Sequence, residues 1–246
     1  MRDPTTSSRI DPTPQPLSSA RPMESNLPFE ARPLTRKEER RGDLYLYTSP
    51  KLQRPVTVIG AMTLAVALEL EFSTTTGAYV ERPRLLRYRD SEAELSFWQR
   101  ELSGRERFYL LVSDKDSELE PKSRHRRHRD ARDLIDAANA AGISLEFVFE
   151  ADMLAKGTSI ATWYRLLPYV QTAHSLPHRQ SIEGRLLEAF ANRPRMTFDQ
   201  CEAALAGLHP ADARAVVCEL IHRGLLLIDP AKPLHRHAVI ETRVPA

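Results

Sequence analysis

The residues of this chain best able to do chemistry gather around one segment, LSFWQRELSGRERFYLLVSDKD, residues 95–116. Two runs of alternating character meet at Ser103-Gly104, the pattern of a β-hairpin with a two-residue turn. That turn sets Leu102 against Arg105, and therefore Ser96 against Leu111, Glu94 against Ser113 and Glu92 against Lys115. Period two then gives one face of Leu95, Phe97, Phe108, Leu110 and Val112, which reads as core. The other face shows Glu92, Glu94, Ser96, Trp98, Tyr109, Leu111, Ser113 and Lys115. Carboxylates and a lysine on one face could hold a divalent cation and activate water. The same side chains also read as a solvated cross-strand pair, Glu92 with Lys115, contributing about a few tenths of a kcal/mol.

A second chemistry is electrostatic. KSRHRRHRDAR, residues 122–132, sets Lys122, Arg124, Arg126, Arg127 and Arg129 close together, a stretch suited to several salt-sensitive phosphate contacts or to a solvated loop. His125 and His128 stand three apart, but the arginines around them oppose a bound cation. Nearer the C-terminus, Lys232 and Arg236, the latter between His235 and His237, form another candidate DNA contact. Cys201 and Cys218, the two cysteines of the chain, lie in no CxxC pair, so they read as small packed residues. Neither a zinc site nor a disulfide framework is expected, and a reducing, cytoplasmic setting fits best.

These groups need elements to position them. Up to about Arg41, prolines 4, 12, 14, 16, 22, 28 and 33 stand among Ser, Thr and Arg, so residues 1–43 read as a disordered arm. Residues 44–176 form the first folded region: a short strand near Val56, then a helix over 62–71 that is apolar almost all round and hence buried. Runs over 78–81, 84–88, 93–100 and 107–112 read as consecutive antiparallel strands. Beyond a charged bridge, a helix over 129–141 ended by Gly142 and a strand over 144–149 make a strand-helix-strand crossover. A helix over 160–173 completes an α/β layer built on a mixed sheet.

Residues 177–246 read as a winged helix-turn-helix. A helix over 181–192 comes first; Thr197 with Gln200 three residues on opens a second, and Pro210 starts a third that Gly224 stops. Runs over 225–228 and 235–241 then pair as a hairpin. In the third helix Ala213, Val216, Val217, Leu220 and Ile221 make the core stripe, leaving Asp212, Ala215, Glu219 and His222 outward. Two acids there oppose entry into a major groove, so the wing, with Lys232 and Arg236, is the better DNA contact.

Three stretches taken together resemble a known family. LELEFSTTTGAYVERPRLLRYRD reads as a helix ending in Leu-Glu, a strand, and Arg82-Pro83 before the hairpin. SFWQRELSGRERFYLLVS is the hairpin itself. AGISLEFVFEADMLAKGTSIATWYRLLPYV gives a strand and a helix with a Leu-Leu-x-Tyr ending. In order and spacing they resemble the TnsA family of transposon endonuclease subunits over residues 44–169, with a winged helix following as in that family.

That resemblance implies a restriction-endonuclease-like mixed sheet flanked by helices, of the PD-(D/E)xK type. There, a carboxylate ending one strand faces a Glu-x-Lys on the next, and Mg²⁺ is held for attack on a phosphodiester. Carried over by position, the family's Asp falls on Ser96, the Glu of its Glu-x-Lys on Leu111, the Lys on Ser113, and its helical Glu on or near Thr63. Serine and leucine do not replace anionic ligands of a hard cation, and no lysine remains to offset developing charge. The fold is therefore expected without the cleavage, and without a resident cofactor. DNA, a TnsB-type transposase and a TnsC-type ATPase are the partners the resemblance implies.

With 246 residues, 41% of them apolar, the chain can bury a sizeable core, and a formal net charge of +2 is too mild to demonstrate a nucleic-acid partner. The longest apolar stretch, around residues 61–70, falls short of the roughly 20 residues of a membrane span. Three readings stay open. One is a DNA-transposition accessory protein with a degenerate nuclease domain; another is an active Mg²⁺-dependent endonuclease with its acids moved to Glu92 and Glu94 beside Lys115. The third is a winged-helix regulator.

Overall fold

The structure is a computed structural model that describes residues 27–40, 42–120 and 125–243. After a one-turn helix α1 (Arg36–Glu39), strands β1 (Leu44–Ser49) and β2 (Arg54–Ile59) pair antiparallel. Helix α2 (Ala61–Phe72) follows; its sequence AMTLAVALELEF offers no polar stripe, and it is buried along most of its length. Next come β3 (Thr76–Glu81), β4 (Leu85–Tyr88), β5 (Ser91–Glu94), β6 (Phe97–Glu101) and β7 (Glu106–Val112). A 3₁₀ turn (Asp114–Asp116), β8 (Ser117–Leu119) and β9 (Arg126–His128) lead into α3 (Ala131–Ala140), β10 (Leu145–Phe149), α4 (Glu150–Ala155) and α5 (Gly157–Ala173).

The central sheet has the order β10-β7-β6-β3, with β10 parallel to β7 and the other neighbours antiparallel, so it is mixed. Both of its faces are covered. Tyr79, Phe97, Tyr109, Leu111 and Val148 lie in the core beneath α2 and α5. Val80, Trp98, Phe108, Leu110 and Val112 lie in a second core with Leu134 and Ala138 of α3. The strand-helix-strand crossover expected over residues 107–149 is present as β7-α3-β10.

The last third holds α6 (Arg179–Asn192), β11 (Arg195–Thr197), α7 (Phe198–Ala204), α8 (Pro210–His222), β12 (Leu226–Ile228) and β13 (Val239–Thr242), with a sheet of order β11-β13-β12. Thr197 and Gln200 make the expected reciprocal capping box, and Pro210 opens α8. Ile182, Leu186, Phe190, Val216, Val217 and Leu220 join the same hydrophobic cluster as α2 and α5. Among the described residues, no helix is long and apolar enough to cross a membrane.

Four expectations need correction. The hairpin pairs Phe97 with Tyr109 and Trp98 with Phe108, one residue away from the expected register. Its turn is Leu102-Ser103-Gly104: the Glu101 N–H donates to the Arg105 carbonyl at 2.8 Å, and Gly104 takes φ +86°. A left-handed glycine closing a longer turn displaces the two-residue turn, and the slip exchanges the faces of Trp98 and Phe97. With helices on both sides, the alternation of apolar residues left the register open.

Second, the runs from residue 78 to 112 are not consecutive neighbours. The expected strand over 93–100 breaks at Leu95-Ser96; β4 and β5 form their own hairpin, and β3 pairs directly with β6. Third, residues 27–40, expected within a disordered arm, dock on the sheet. Phe29 meets Trp98 and Phe108 edge-on at 5.5 and 5.4 Å, and the Arg32 N–H donates to the Arg82 carbonyl at 3.1 Å. Leu27, Phe29 and Ala31, set between the prolines, supply the apolar anchors. Residues 1–26 of that arm lie outside the described residues. Fourth, part of the charged bridge is a hairpin, β8 with β9.

Candidate functional site

A cleft forms where the first turn of α2 meets the entry to β6. Gly60, at φ +82°, turns the chain from β2 into α2 and brings Thr63 to the cleft. Ser96 arrives between β5 and β6: its N–H donates to the Tyr109 carbonyl at 2.7 Å, and its Oγ accepts from the Leu111 N–H at 2.9 Å. Ser96 and its neighbour Phe97 thus both oppose Tyr109, as in a β-bulge, which re-aims the serine. Thr63, Ser96, Glu94 and Arg82 line a pocket of about 260 Å³ together with Leu34 and Glu38 from the N-terminal segment.

One ion pair crosses this cleft, and its other charged groups are held by hydrogen bonds. Arg32 donates to Glu94 at 2.7 Å, and Glu38 closes the capping box of α1 with Thr35. Burial pushes the Glu94 carboxyl above its ordinary value, while Arg32 pulls the other way. Two acids, Glu38 and Glu94, therefore sit beside two guanidiniums, Arg32 and Arg82, an arrangement that does not attract a cation.

The remaining positions disperse. Leu111 packs against the core beneath α2 and α5. The Ser113 hydroxyl donates to Asp116 at 2.6 Å in the 3₁₀ turn. Glu92 was expected opposite Lys115; it lies instead on the β4-β5 hairpin opposite Arg87, which it pairs at 2.7 Å. Lys115 is exposed in the turn beyond β7. Glu92, Glu94 and Lys115 thus occupy three different settings, because β5 leaves the central sheet. Among the described residues, no group of three or more His, Cys, Asp or Glu could hold a metal ion.

No family model matches the chain, and no curated protein does.

Of the basic run, Lys122 and Arg124 lie outside the described residues. Arg126 pairs with Asp114 at 3.0 Å and Arg127 with Glu118 at 2.7 Å. The Arg129 N–H donates to the Asp116 carbonyl at 3.0 Å, and the His128 ring stacks on Phe147, 6.0 Å between centroids. On the later hairpin Lys232 meets Asp229 at 3.0 Å and Arg236 lies 3.6 Å from Asp199. These pairs are largely solvent-exposed and screened, so each holds its acid only weakly.

Of the four residues expected to face outward from α8, Asp212 is half-buried and the other three are buried. Ala215 and Glu219 are 0% and 1% exposed, and His222 8%. Helix α8 packs closely on α5, and the small Ala215 and Cys218 are fully buried. Glu219 is held by Arg179 of α6, whose Nε donates at 2.6 Å. Cys201 and Cys218 are buried, and burial raises both thiols, Cys201 to about 12, as expected of packed residues.

His222 points to a group that the sequence reading missed. Its Nε2 lies 2.8 Å from Glu71, which is wholly buried and also accepts from the Ser49 and Tyr79 hydroxyls at 2.5 Å each and the Lys51 N–H at 2.9 Å. Burial pushes the Glu71 carboxyl up, but His222 and the two hydroxyls outweigh it and hold the group below its ordinary value. Glu71, one of two acids in the last turn of an otherwise apolar helix, was the available signal. For the N-terminal segment the signal was Thr35-x-x-Glu38, a capping-box spacing.

Proposed function

We propose that the chain is an accessory protein of DNA transposition, resembling the TnsA endonuclease subunit in fold but not in cleavage, that acts by binding DNA and transposition partners. The observation that carries this reading is the cleft: Thr63 and Ser96 share one pocket, at positions where the resemblance expects acidic ligands, and neither is an acid. The Leu111 side chain is turned into the core and Ser113 is tied to Asp116. Arg32 and Arg82 bring positive charge where a cation would need anions.

The order α2, β3, β6, β7, α3, β10, with β10 parallel to β7, supports the restriction-endonuclease-like reading. Likewise α6, β11, α7, α8, β12 and β13 follow the order of a winged helix. The regulator reading fares less well, since α8, the helix that would enter a major groove, is packed against α5. An endonuclease using Glu92, Glu94 and Lys115 fares less well too, because Arg87 and Arg32 already engage the two acids.

DNA binding by the purified chain, measured by fluorescence anisotropy across a salt series, tests the proposal. Affinity is expected to fall steeply with salt, and Arg126→Gln with Arg127→Gln is expected to flatten the slope by about two counterions. Affinity that is independent of salt, or unchanged in the double variant, would count against it.

A further inference from the structure

A separate cavity opens where α5, α7 and α8 meet the loop between β12 and β13. Its volume is about 320 Å³, near the lower end of the roughly 300–1,000 Å³ typical of small-ligand sites. The floor is apolar: Leu166, Phe198 and Cys218 are all buried, and the Tyr169 ring stands beside them. The mouth is cationic, formed by Arg165, Arg214 and Arg236.

Bonds to the helices hold the loop in place. The Thr162 hydroxyl donates to the Pro230 carbonyl at 3.3 Å, Arg165 Nη1 to the Leu234 carbonyl at 2.8 Å, and the Asp199 N–H to the Arg236 carbonyl at 3.1 Å. The cavity is therefore built by contacts between α5 of the first region and the elements of the last third.

The three guanidiniums are not equivalent. Arg214 is bound by Glu202 at 2.5 Å and lies 5.9 Å over the Tyr169 ring, while Arg236 stands 3.6 Å from Asp199. Arg165 donates to a carbonyl, and among the described residues no carboxylate lies within ion-pair distance of it. One uncompensated guanidinium above an apolar floor is complementary to a ligand with a flat apolar body and a single anionic group.

We propose that this cavity binds a small aryl carboxylate, its ring against Leu166, Phe198 and Tyr169 and its carboxylate on Arg165. Arg165, Leu166, Phe198 and Tyr169 belong neither to the cleft beside Thr63 nor to the residues proposed to contact DNA, so the ligand's binding is separable from the transposition reading, although Arg236 at the mouth is shared with the proposed DNA contact.

The test is calorimetric titration of the full chain with 2-naphthoate and with 2-naphthalenemethanol, its neutral counterpart. The acid is expected to bind saturably at one site, and the alcohol about tenfold or more weakly, as the loss of one charge-assisted hydrogen bond implies. Arg165→Gln, which keeps a donor for the Leu234 carbonyl, is expected to weaken the acid by a similar factor while leaving the alcohol unchanged. The alcohol also reports on the cavity's shape: a variant that lost both ligands would have lost the cavity, and Arg165→Lys then serves as the second variant, expected to retain most of the acid's affinity. Equal binding of acid and alcohol, no saturable binding of the acid, or undiminished acid binding in Arg165→Gln would overturn the proposal.

Discussion

Glu71 keeps a carboxylate at the centre of this molecule because four donors converge on it, from Ser49, Lys51, Tyr79 and His222. Glutamine keeps one acceptor oxygen but sets an NH2 group against the donors at the other, so Glu71→Gln is expected to cost about 3 kcal/mol in denaturant unfolding. The folded carboxyl lies below its ordinary value of 4.5, so its stabilisation is fully present above that pH and is lost as pH falls through the lower folded value. As pH falls below 4.5 the wild-type chain should therefore lose stability more steeply than Glu71→Gln; parallel losses would contradict the assignment. Ser96 is a smaller case. Its Oγ is the acceptor for the Leu111 N–H, so Ser96→Ala is expected to cost about 1–2 kcal/mol through that orphaned donor. What a serine does at this position is structural support for the strand, where the resemblance would expect an acid.

At the scale of elements, two left-handed glycines differ in what surrounds them. A Cβ on Gly104 would meet open space, whereas one on Gly224, just past α8, would lie 2.5 Å from Thr74 Cγ2 in the turn after α2. Gly104→Ala is expected to cost about 1 kcal/mol from backbone strain alone. Gly224→Ala should cost clearly more, and Thr74→Ala should recover part of the excess; equal losses at the two glycines would contradict the close approach. The docked segment offers another check: Phe29→Ala is expected to cost about 1–2 kcal/mol, because the ring fills a space against Trp98 and Phe108. Helices and their caps were largely legible in the sequence, as at Thr197, Pro210 and Gly224, since those signals are local. Strand register was not, because with both faces of the sheet apolar only the turn chemistry at Gly104 decides it. The β4-β5 detour was equally hidden; it begins at Arg82, whose φ of +46° no local composition announces.

For the molecule as a whole, α8 changes most between sequence and structure. Its spacing offers a polar face; in the fold Ala215, Glu219 and His222 on that face are buried, Glu219 is held by Arg179 of α6, and Glu71 and His222 tie the two regions together. Long-range burial of this kind leaves no mark at the spacing of a single helix. The candidate cleft was legible in part: Thr63 and Ser96 were singled out and do share a pocket, but the contribution of Arg32 and Glu38 from the N-terminal segment was not foreseen. The central claim is the proposed one: a cleft resembling that of a nuclease in which Arg32 already engages Glu94 and the positions expected to hold acidic ligands carry Thr63 and Ser96. The direct measurement is nicking of supercoiled plasmid by the purified full chain in Mg²⁺ and in Mn²⁺, beside Glu94→Ala. The expected result is DNA that stays supercoiled with both proteins, under salt conditions where binding is seen; metal-dependent nicking by the wild-type chain that Glu94→Ala abolishes would contradict it.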